Sequence, residues 1–226
     1  MSPITMEGTY NMYCNREPRF YVSVIYNNAW LGVANRNVNF LQGGLDTDMT
    51  FDSPQNGYNV RKRISLDVCP IDRKYTYQPG ILYRMADAYL GYAEALNEYL
   101  PAPNDDVYKY VNLIRERAGI PELRKGLSKE EMSDAIRQER RVEFNCEGIR
   151  FHDVRRWKLG EKYFGGKLYG MNHDGSEKSD DENNPKAFYK RTYYKSRTFN
   201  KRMYLWPVPQ AQMDINPKLR QAPGYQ

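Results

Sequence analysis

Three glutamates, Glu139, Glu143 and Glu147, recur every four residues in a strongly charged stretch of the sequence. Four-residue spacing places side chains on one face of a helix, where like charges repel, so cationic partners are expected to face them. We therefore predict a structural ion-pair network among these glutamates and other charged side chains. The other predicted members are Arg115, Arg117, Arg140, Arg150, Asp153 and Arg156.

Paired carboxylates also serve as the acid and base of glycoside hydrolases. The acid of such a pair needs a raised pKa, whereas surrounding arginines would lower it, so we favour the structural interpretation. The two histidines, His152 and His173, are too few to indicate a histidine-centred site. The sequence contains no GxSxG, HExxH, P-loop or GxGxxG pattern. We predict no catalytic activity, no catalytic residues, no metal and no cofactor.

Ligand binding is better suggested by Trp30, which lies among aromatic and amide residues in a segment with turn-forming character. A sugar ring presents an apolar face and a rim of hydroxyl groups, so it needs an aromatic plate beside amide donors. We predict Trp30, Tyr26, Asn27 and Tyr58 as glycan contacts. The alternative is that Trp30 seals a loop onto the core. Trp157 and Trp206 are interpreted as core anchors.

The elements that position these residues fall into three stretches. Residues 1–80 are rich in Asn, Gly, Tyr and Pro, and short β-like runs such as Phe20–Tyr26 alternate with turns. Residues 81–158 show helical periodicity, and residues 159–226 return to loops with an extended, proline-rich tail. The sequence thus predicts a mainly α fold with long irregular loops and a few short strands.

Two successive helices make up a helix-turn-helix unit of the helical stretch. Apolar residues at spacings of three and four, beginning at Leu82 and Met85, predict the first helix, and Pro101 ends it. The second ends near Gly119, which gives a unit close in length to a tetratricopeptide repeat. One such unit cannot bury its own face, so its stacking partners are expected elsewhere. A third helix is predicted from Ser128 as far as Cys146 or Glu147, with a capping box at its start.

Composition narrows the class of protein further. The 226 residues are 40% hydrophobic and 27% charged, and no apolar run is long enough to cross a membrane. The net charge of +6 comes from interleaved acidic and basic residues rather than a basic block, so nucleic-acid binding is not predicted. Three cysteines are interpreted as small buried hydrophobes, with one disulfide as an alternative. The acidic segment Asp46–Asp52 lacks the glycine and glutamate of a calcium loop and is interpreted as a solvated turn.

Five ordered motifs resemble one known family. Glu17–Tyr21 is similar to its (D/E)PRF motif, and Tyr83–Glu98 to a helical motif that contains AEAlN. Val111–Gly119 is similar to its iNxiRxRAG motif, and Glu139–Trp157 to a motif that begins with ER and ends with RW. Leu205–Tyr225 is similar to its closing motif, which begins with LwPiP. The chain resembles the C-terminal region of SusD/RagB-like proteins, which bind nutrients at the bacterial outer membrane. Met213, Asp214 and Ala222 depart from the closing pattern.

The resemblance implies a helical fold built on tetratricopeptide-like repeats. It also implies a non-enzymatic, cell-surface lipoprotein that captures oligosaccharides for a SusC-like, TonB-dependent transporter. Full-length relatives are expected to be about twice as long, with N-terminal repeats and a lipid anchor that this chain lacks. The alternative is a protein- or peptide-interaction module of the same uptake complex. The resemblance assigns no sugar-contacting residue, since these vary within the family.

Overall fold

The computed structural model of the protein describes residues 9–47, 55–65, 67–68 and 72–225. Within them the α-helices are α1 (Pro18–Ser23), α2 (Met85–Tyr99), α3 (Asp105–Arg117), α4 (Lys129–Glu143), α5 (Ile149–Arg156), α6 (Gly160–Phe164) and α7 (Gln210–Ile215). The strands are β1 (Val24–Ile25), β2 (Trp30–Leu31), β3 (Arg36–Asn37), β4 (Asn59–Val60), β5 (Gly166–Gly170) and β6 (Thr192–Arg197). They form three antiparallel pairs, β1 with β4, β2 with β3 and β5 with β6. The prediction of a mainly helical fold with few short strands is confirmed.

The helical core is formed where α2 packs against both α3 and α4. Its centre is a cluster of fully buried apolar side chains, among them Leu90, Val107, Val111, Met132 and Ile136. Burial of each large aliphatic side chain contributes about 2 kcal/mol. This three-helix packing holds α4 and its glutamates in place.

The buried face of α2 differs from the predicted one. Leu82 precedes the helix and is 98% exposed, and Met85 is 60% exposed. The helix instead buries a row that includes Ala86, Leu90 and Asn97. The Asn97 side-chain amide donates hydrogen bonds to the Lys129 carbonyl and the Ser133 hydroxyl of α4. A polar residue therefore lies on the packed face because its neighbour supplies acceptors, which an apolar pattern does not reveal.

The start of α4 is as predicted, but its end is not. Ser128 accepts a hydrogen bond from the Glu131 amide, and the Glu131 carboxylate accepts one from the Ser128 amide, which completes the capping box. The helix ends at Glu143, before the predicted limit, and Cys146 has a positive φ of 61° that a helix cannot contain. Glu147 consequently does not share a helix face with Glu143.

The segment predicted as a strand around Phe20 begins as a helix. Pro18 is the first residue of α1, where its fixed φ favours a helix and its missing N–H costs no hydrogen bond. The Tyr21 hydroxyl donates to the Tyr13 carbonyl at 2.7 Å and so fixes the helix against the preceding turn. Only Val24 and Ile25 are extended, and they pair with β4. Local β-propensity is overridden here by tertiary contacts.

A second core, made mainly of aromatic side chains, lies beside the short strands. Tyr13, Phe40 and Phe188 are almost completely buried in it. The rings of Tyr13 and Tyr26 lie 4.6 Å apart, within the range of favourable aromatic contacts. This aromatic core supports the segment that contains Trp30.

The C-terminal stretch contains more regular structure than the predicted loops. β5 and β6 form an antiparallel ribbon with a bulge between Leu168 and Tyr169. The proline-rich tail is extended at Leu205 and lies near α5, where Arg155 donates to the Tyr204 carbonyl at 2.6 Å. Trp206 is 69% exposed, so its prediction as a core anchor is wrong.

Two smaller sequence predictions have mixed outcomes. Cys14 is partly buried, but Cys146 is exposed, and both are free thiols. Cys69 lies outside the described residues, as do Asp48 and Asp52 of the acidic turn. In the part of the chain that the structure describes, no helix is long and apolar enough to cross a membrane.

The capping box gives a direct test of what stabilises α4. We expect Ser128→Ala to lower the free energy of unfolding by about 1 kcal/mol, because the Glu131 amide loses its acceptor. Urea denaturation followed by circular dichroism measures this difference. Ser176→Ala, at an exposed serine, is the control and should leave the midpoint unchanged. Equal stability of Ser128→Ala and the control would show that the cap contributes nothing.

Candidate functional site

The carboxylates of α4 are buried among guanidinium groups. The Glu139 and Glu143 side chains are each 4% exposed. Glu139 accepts from Arg19 at 2.6 Å and from Arg115 at 3.0 Å. Arg19 comes from α1 and Arg115 from α3, so one carboxylate joins three helices. Buried charges at this depth require such complete pairing, because desolvation of an unpaired carboxylate is very unfavourable.

Glu143 is the centre of this cluster. Arg19 donates to it at 2.9 Å, Arg117 at 2.5 Å, and Arg84 forms a third ion pair. Burial opposes ionisation of the carboxyl group, but the hydrogen bonds from Arg117, Arg84 and Arg19 outweigh it and lower the pKa of Glu143 to about 2. Glu143 is therefore ionised throughout the physiological pH range.

Glu147 joins the cluster from beyond the end of α4. Arg84 donates to both of its carboxylate oxygens, at 2.9 and 2.8 Å, in a forked arrangement. Lys62 lies 2.6 Å from the same carboxylate and also donates to the Glu143 carbonyl. Although burial opposes it, hydrogen bonding to Arg84 and Lys62 lowers the pKa of Glu147. Residues from four separate parts of the chain thus meet at these carboxylates.

A second cluster surrounds Arg140 on the neighbouring face of α4. Arg140 is 5% exposed and donates to both oxygens of Asp153, at 2.8 and 3.1 Å. It also donates to Asp87 of α2 at 3.0 Å. Arg156 pairs with the same Asp153 and, through a fork, with Glu94 of α2. α2, α4 and α5 are held together by these contacts.

Arg150, a predicted member of the network, lies elsewhere. Within the described residues it forms no ion pair, and its guanidinium lies over the rings of Trp157 and Tyr163, at 5.8 and 4.6 Å. Burial, together with repulsion from Arg141, lowers the pKa of Arg150. The place expected for Arg150 in the ion-pair network is taken by residues that were not predicted, namely Arg19, Lys62 and Arg84. Their separation from α4 along the chain left no local signal for the pairing.

The chemistry of the carboxylates differs from that of a glycosidase. A general acid must hold a proton near neutral pH, whereas the guanidinium groups keep Glu143 ionised far below it. Among the described residues, no group of three or more His, Cys, Asp or Glu side chains is arranged to hold a metal ion. The arrangement is suited to joining helices.

Two of the predicted glycan contacts are buried, and this corrects the prediction. Tyr26 is 5% exposed and packs in the aromatic core. Asn27 is 1% exposed, and its side-chain amide donates to the Tyr189 hydroxyl at 2.9 Å and accepts from the Phe40 amide at 2.8 Å. Neither side chain can reach a ligand, because both are occupied with holding the loop to the core.

Of the other two predicted contacts, Tyr58 is partly buried against the same core, whereas Trp30 is 47% exposed. Trp30 begins β2 and pairs with Asn37 of β3. The Asn37 side-chain amide donates to the Asn28 side-chain oxygen Oδ1 at 3.0 Å. Trp30 therefore combines an accessible ring with a backbone paired to β3 and nearby amides, while Tyr58 is only partly accessible.

An aromatic pocket near the C terminus was missed by the sequence reasoning. Its volume is about 520 Å³, and its walls include Phe151, Phe164, Phe199, Trp206 and Tyr225. These residues come from α5, α6 and the C-terminal tail, so the pocket cannot be predicted from any one segment of the sequence. The one available signal was Trp206 itself, in a proline-rich segment where exposure is common.

Comparison with known proteins decides the family. The SusD family profile matches residues 3–225, nearly the whole chain. The chain belongs to the SusD family. A SusD-like protein from Bacteroides fragilis NCTC 9343 is 32% identical, with a TM-score of 0.73 over 95% of this chain and 40% of its own. A SusD-like carbohydrate binding protein from the same strain is 27% identical, with a TM-score of 0.71 over 91% of this chain and 42% of its own.

Curated relatives agree with this assignment. SusD-like protein P25 of Formosa agariphila is 32% identical over 127 residues, which is 55% of this chain and 23% of the relative. SusD-like protein P2 of the same organism is 37% identical over 89 residues, which is 36% of this chain and 17% of the relative. This SusD-family chain thus spans about two fifths of the solved relatives, and its matches cover about a fifth of the curated ones.

The ion cluster predicts a defined pH dependence. We expect Glu143→Gln to lower the free energy of unfolding by about 3 to 5 kcal/mol, because Arg19, Arg84 and Arg117 lose a buried anionic partner. The pKa of Glu143 is lowered in the folded state, so its contribution is complete above its ordinary value of 4.5 and is lost as pH falls toward about 2. Wild-type protein should therefore lose more stability than the variant over this interval.

Urea midpoints measured from pH 6 to pH 2 give the comparison. Glu130→Gln removes an exposed carboxylate from the same helix and is the matched control. If the urea midpoint of Glu143→Gln equals that of Glu130→Gln at every pH, a central role for the Glu143 carboxylate is contradicted.

Proposed function

We propose that the chain binds oligosaccharides without catalysis, and that Trp30 is the aromatic plate against which a sugar ring stacks. The observation that carries this proposal is the half-exposed Trp30 ring on a fixed two-stranded ribbon. Membership of the SusD family supports carbohydrate binding in general. The carbohydrate-binding relative at a TM-score of 0.71 supports it further.

The rigidity of the ribbon matters for affinity. Asn28 donates its backbone N–H to the Val38 carbonyl, and Val38 donates to the Ala29 carbonyl, both at 2.8 Å. Below them, Asn27 ties the loop to Tyr189 and Phe40. Because the backbone is already ordered, stacking on Trp30 costs little conformational entropy. Even so, stacking on one aromatic ring contributes only about 1 kcal/mol of binding free energy in addition to that from burying apolar surface. We therefore expect affinity in the micromolar range or weaker.

The wider role follows from the family rather than from any contact in the chain. We place the binding event at the outer cell surface and propose that the captured glycan passes to a SusC-like, TonB-dependent transporter. Membrane attachment would come through a lipid anchor, as the family resemblance implies. The low pKa of Glu143 supports the absence of glycosidase activity.

A second candidate function is protein or peptide interaction within the same uptake complex. The aromatic pocket around Trp206 favours it, because its walls are mainly apolar and Leu205 and Trp206 are 49% and 69% exposed. Large exposed aromatic side chains are typical of protein interfaces. The exposed Trp30 therefore supports glycan binding, and the exposed Trp206 supports protein or peptide interaction.

Trp30→Ala and Trp206→Ala separate these candidates. We expect Trp30→Ala to weaken glycan binding about fivefold, the equivalent of about 1 kcal/mol of lost stacking, while Trp206→Ala leaves it unchanged. Isothermal titration calorimetry against plant, host and microbial oligosaccharides provides the affinities. Loss of binding only in Trp206→Ala would move the site to the aromatic pocket.

Catalysis is tested in the same samples. We expect no increase in reducing ends after prolonged incubation with any glycan that binds, because Glu143, at the centre of the carboxylate cluster, is kept ionised by its arginines, whereas a general acid must hold a proton. A commercial glycosidase acting on the same glycan serves as the positive control. Saturable release of reducing ends would contradict the non-catalytic proposal.

A further inference from the structure

A polar cleft of about 660 Å³ lies between the N-terminal segment and the outer face of α4. Gln138, Arg141 and Val142 line one side at the spacing of one helical face, and Asn145 follows just beyond the end of the helix. The other side is formed by residues 16–24, including Arg16, Glu17 and Phe20. The cleft is distinct from the ribbon that carries Trp30, and neither the comparisons nor the sequence motifs assign it a ligand.

The charges in this cleft are unbalanced. Arg16 and Arg141 are exposed, and neither side chain forms an ion pair with any described residue. Glu17 is the single acidic residue in the lining, and it is already paired with Arg19. Arg19 in turn is engaged by the buried carboxylates of α4. Among the described residues these two guanidinium groups thus have no anionic partner, in contrast to the paired network on the inner side of the same helix.

The surroundings extend this positive region. Arg141 is close enough to Arg150 to repel it and, after burial, to contribute to lowering the pKa of Arg150. On the opposite wall, the Arg16 guanidinium lies 5.8 Å from the centre of the Phe20 ring, which gives the cleft an apolar surface beside its charge. Gln138 and Asn145 are exposed and add amide groups that can bond to hydroxyls.

We propose that this cleft binds the acidic groups of a charged oligosaccharide, with Arg16 and Arg141 as the anion-binding residues. Guanidinium forks match the geometry of carboxylates and sulfate esters, and both groups occur on acidic sugars. The amides would bind ring hydroxyls, and Phe20 would contact a sugar face. This inference rests on the proposed function and specifies the class of its ligand.

A nucleic acid is a less fitting occupant. Binding of a phosphate backbone uses a stripe of cations that follows the strand, whereas the cleft is short and offers two unpaired arginines with amides between them. A short acidic glycan needs few anion contacts and many hydroxyl contacts, which corresponds to this lining. Oligonucleotide binding is therefore retained as an outcome that would contradict the proposal.

Matched pairs of ligands test the charge requirement. Oligogalacturonide is compared with its methyl ester of equal length, and a sulfated oligosaccharide with its desulfated form, by calorimetry at low and moderate salt. We expect the wild-type chain to bind at least one acidic member at least tenfold more tightly than its neutral partner, with the preference declining as salt rises. Which pair shows the preference identifies the anionic group.

Arg16→Gln and Arg141→Gln should each reduce that preference at least fivefold without altering affinity for the neutral partner. Arg220→Gln, which removes an exposed charge outside the cleft, should behave as wild type. Circular dichroism spectra and urea midpoints confirm that each variant is folded, which is expected because neither arginine belongs to the buried network.

The outcomes also distinguish this inference from the proposed function. Binding of neutral glycans with no acidic preference would overturn the cleft proposal and leave glycan capture standing. An acidic preference that survives Arg16→Gln/Arg141→Gln would overturn it as well, as would equal competition by a DNA oligonucleotide of the same charge. Failure of the wild-type chain to bind any glycan would contradict the proposed function itself.

Discussion

The fold depends on the buried ionic cluster centred on Glu143, because this cluster joins two separate hydrophobic cores. Arg19 and Lys62 come from the irregular N-terminal part, and Arg84 and Arg117 come from the helical part. Each contributes a positive charge or donor to the end of α4. Desolvation makes such a cluster unfavourable unless every charge is paired, so the cluster forms only when all its elements have docked in one arrangement. It specifies how the irregular part sits on the helices more strongly than non-directional apolar contact could.

The aromatic core accounts for part of the chain's high tyrosine content of 20 residues. Five tyrosines are buried, and Tyr13 and Tyr26 are almost completely so. The irregular backbone around them needs hydrogen-bond partners that helices and sheets would otherwise supply. The Tyr21 hydroxyl meets such needs, because it donates to the Tyr13 carbonyl and accepts from the Arg16 backbone N–H. Part of the tyrosine enrichment in this chain is therefore structural, and it identifies no ligand.

The capping box at Ser128 was predicted correctly from the sequence, because its two residues lie three apart, whereas pairings between distant residues were not. The partners of Glu143 include Arg19, 124 residues away, and no periodicity reports such a pairing. Asn97 was missed for the same reason, since its acceptors lie on another helix.

The candidate site followed the same division. Trp30 is exposed, whereas Tyr26 and Asn27 of the same segment are buried in the core. Tyr26 and Asn27 lie at the turn before the ribbon, where side chains do not alternate regularly between faces, so composition alone could not separate ligand contacts from anchors. The pocket at Trp206 requires α5, α6 and the tail to meet, which only the fold reveals.

The ionic cluster also shapes the cleft proposed to bind acidic glycans. On α4, the inward residues Glu139 and Glu143 pair with Arg19, while Gln138 and Arg141 face the cleft on the other side of the same helix. Arg16, three residues before Arg19, lies at the opposite wall, where its backbone N–H donates to the Tyr21 hydroxyl at 3.0 Å. The cluster anchors α1 against α4, and within the described residues the side chains of Arg16 and Arg141 form no ion pair. The walls of the cleft are already ordered in the free protein, so a ligand would not have to order them. This preorganisation favours binding.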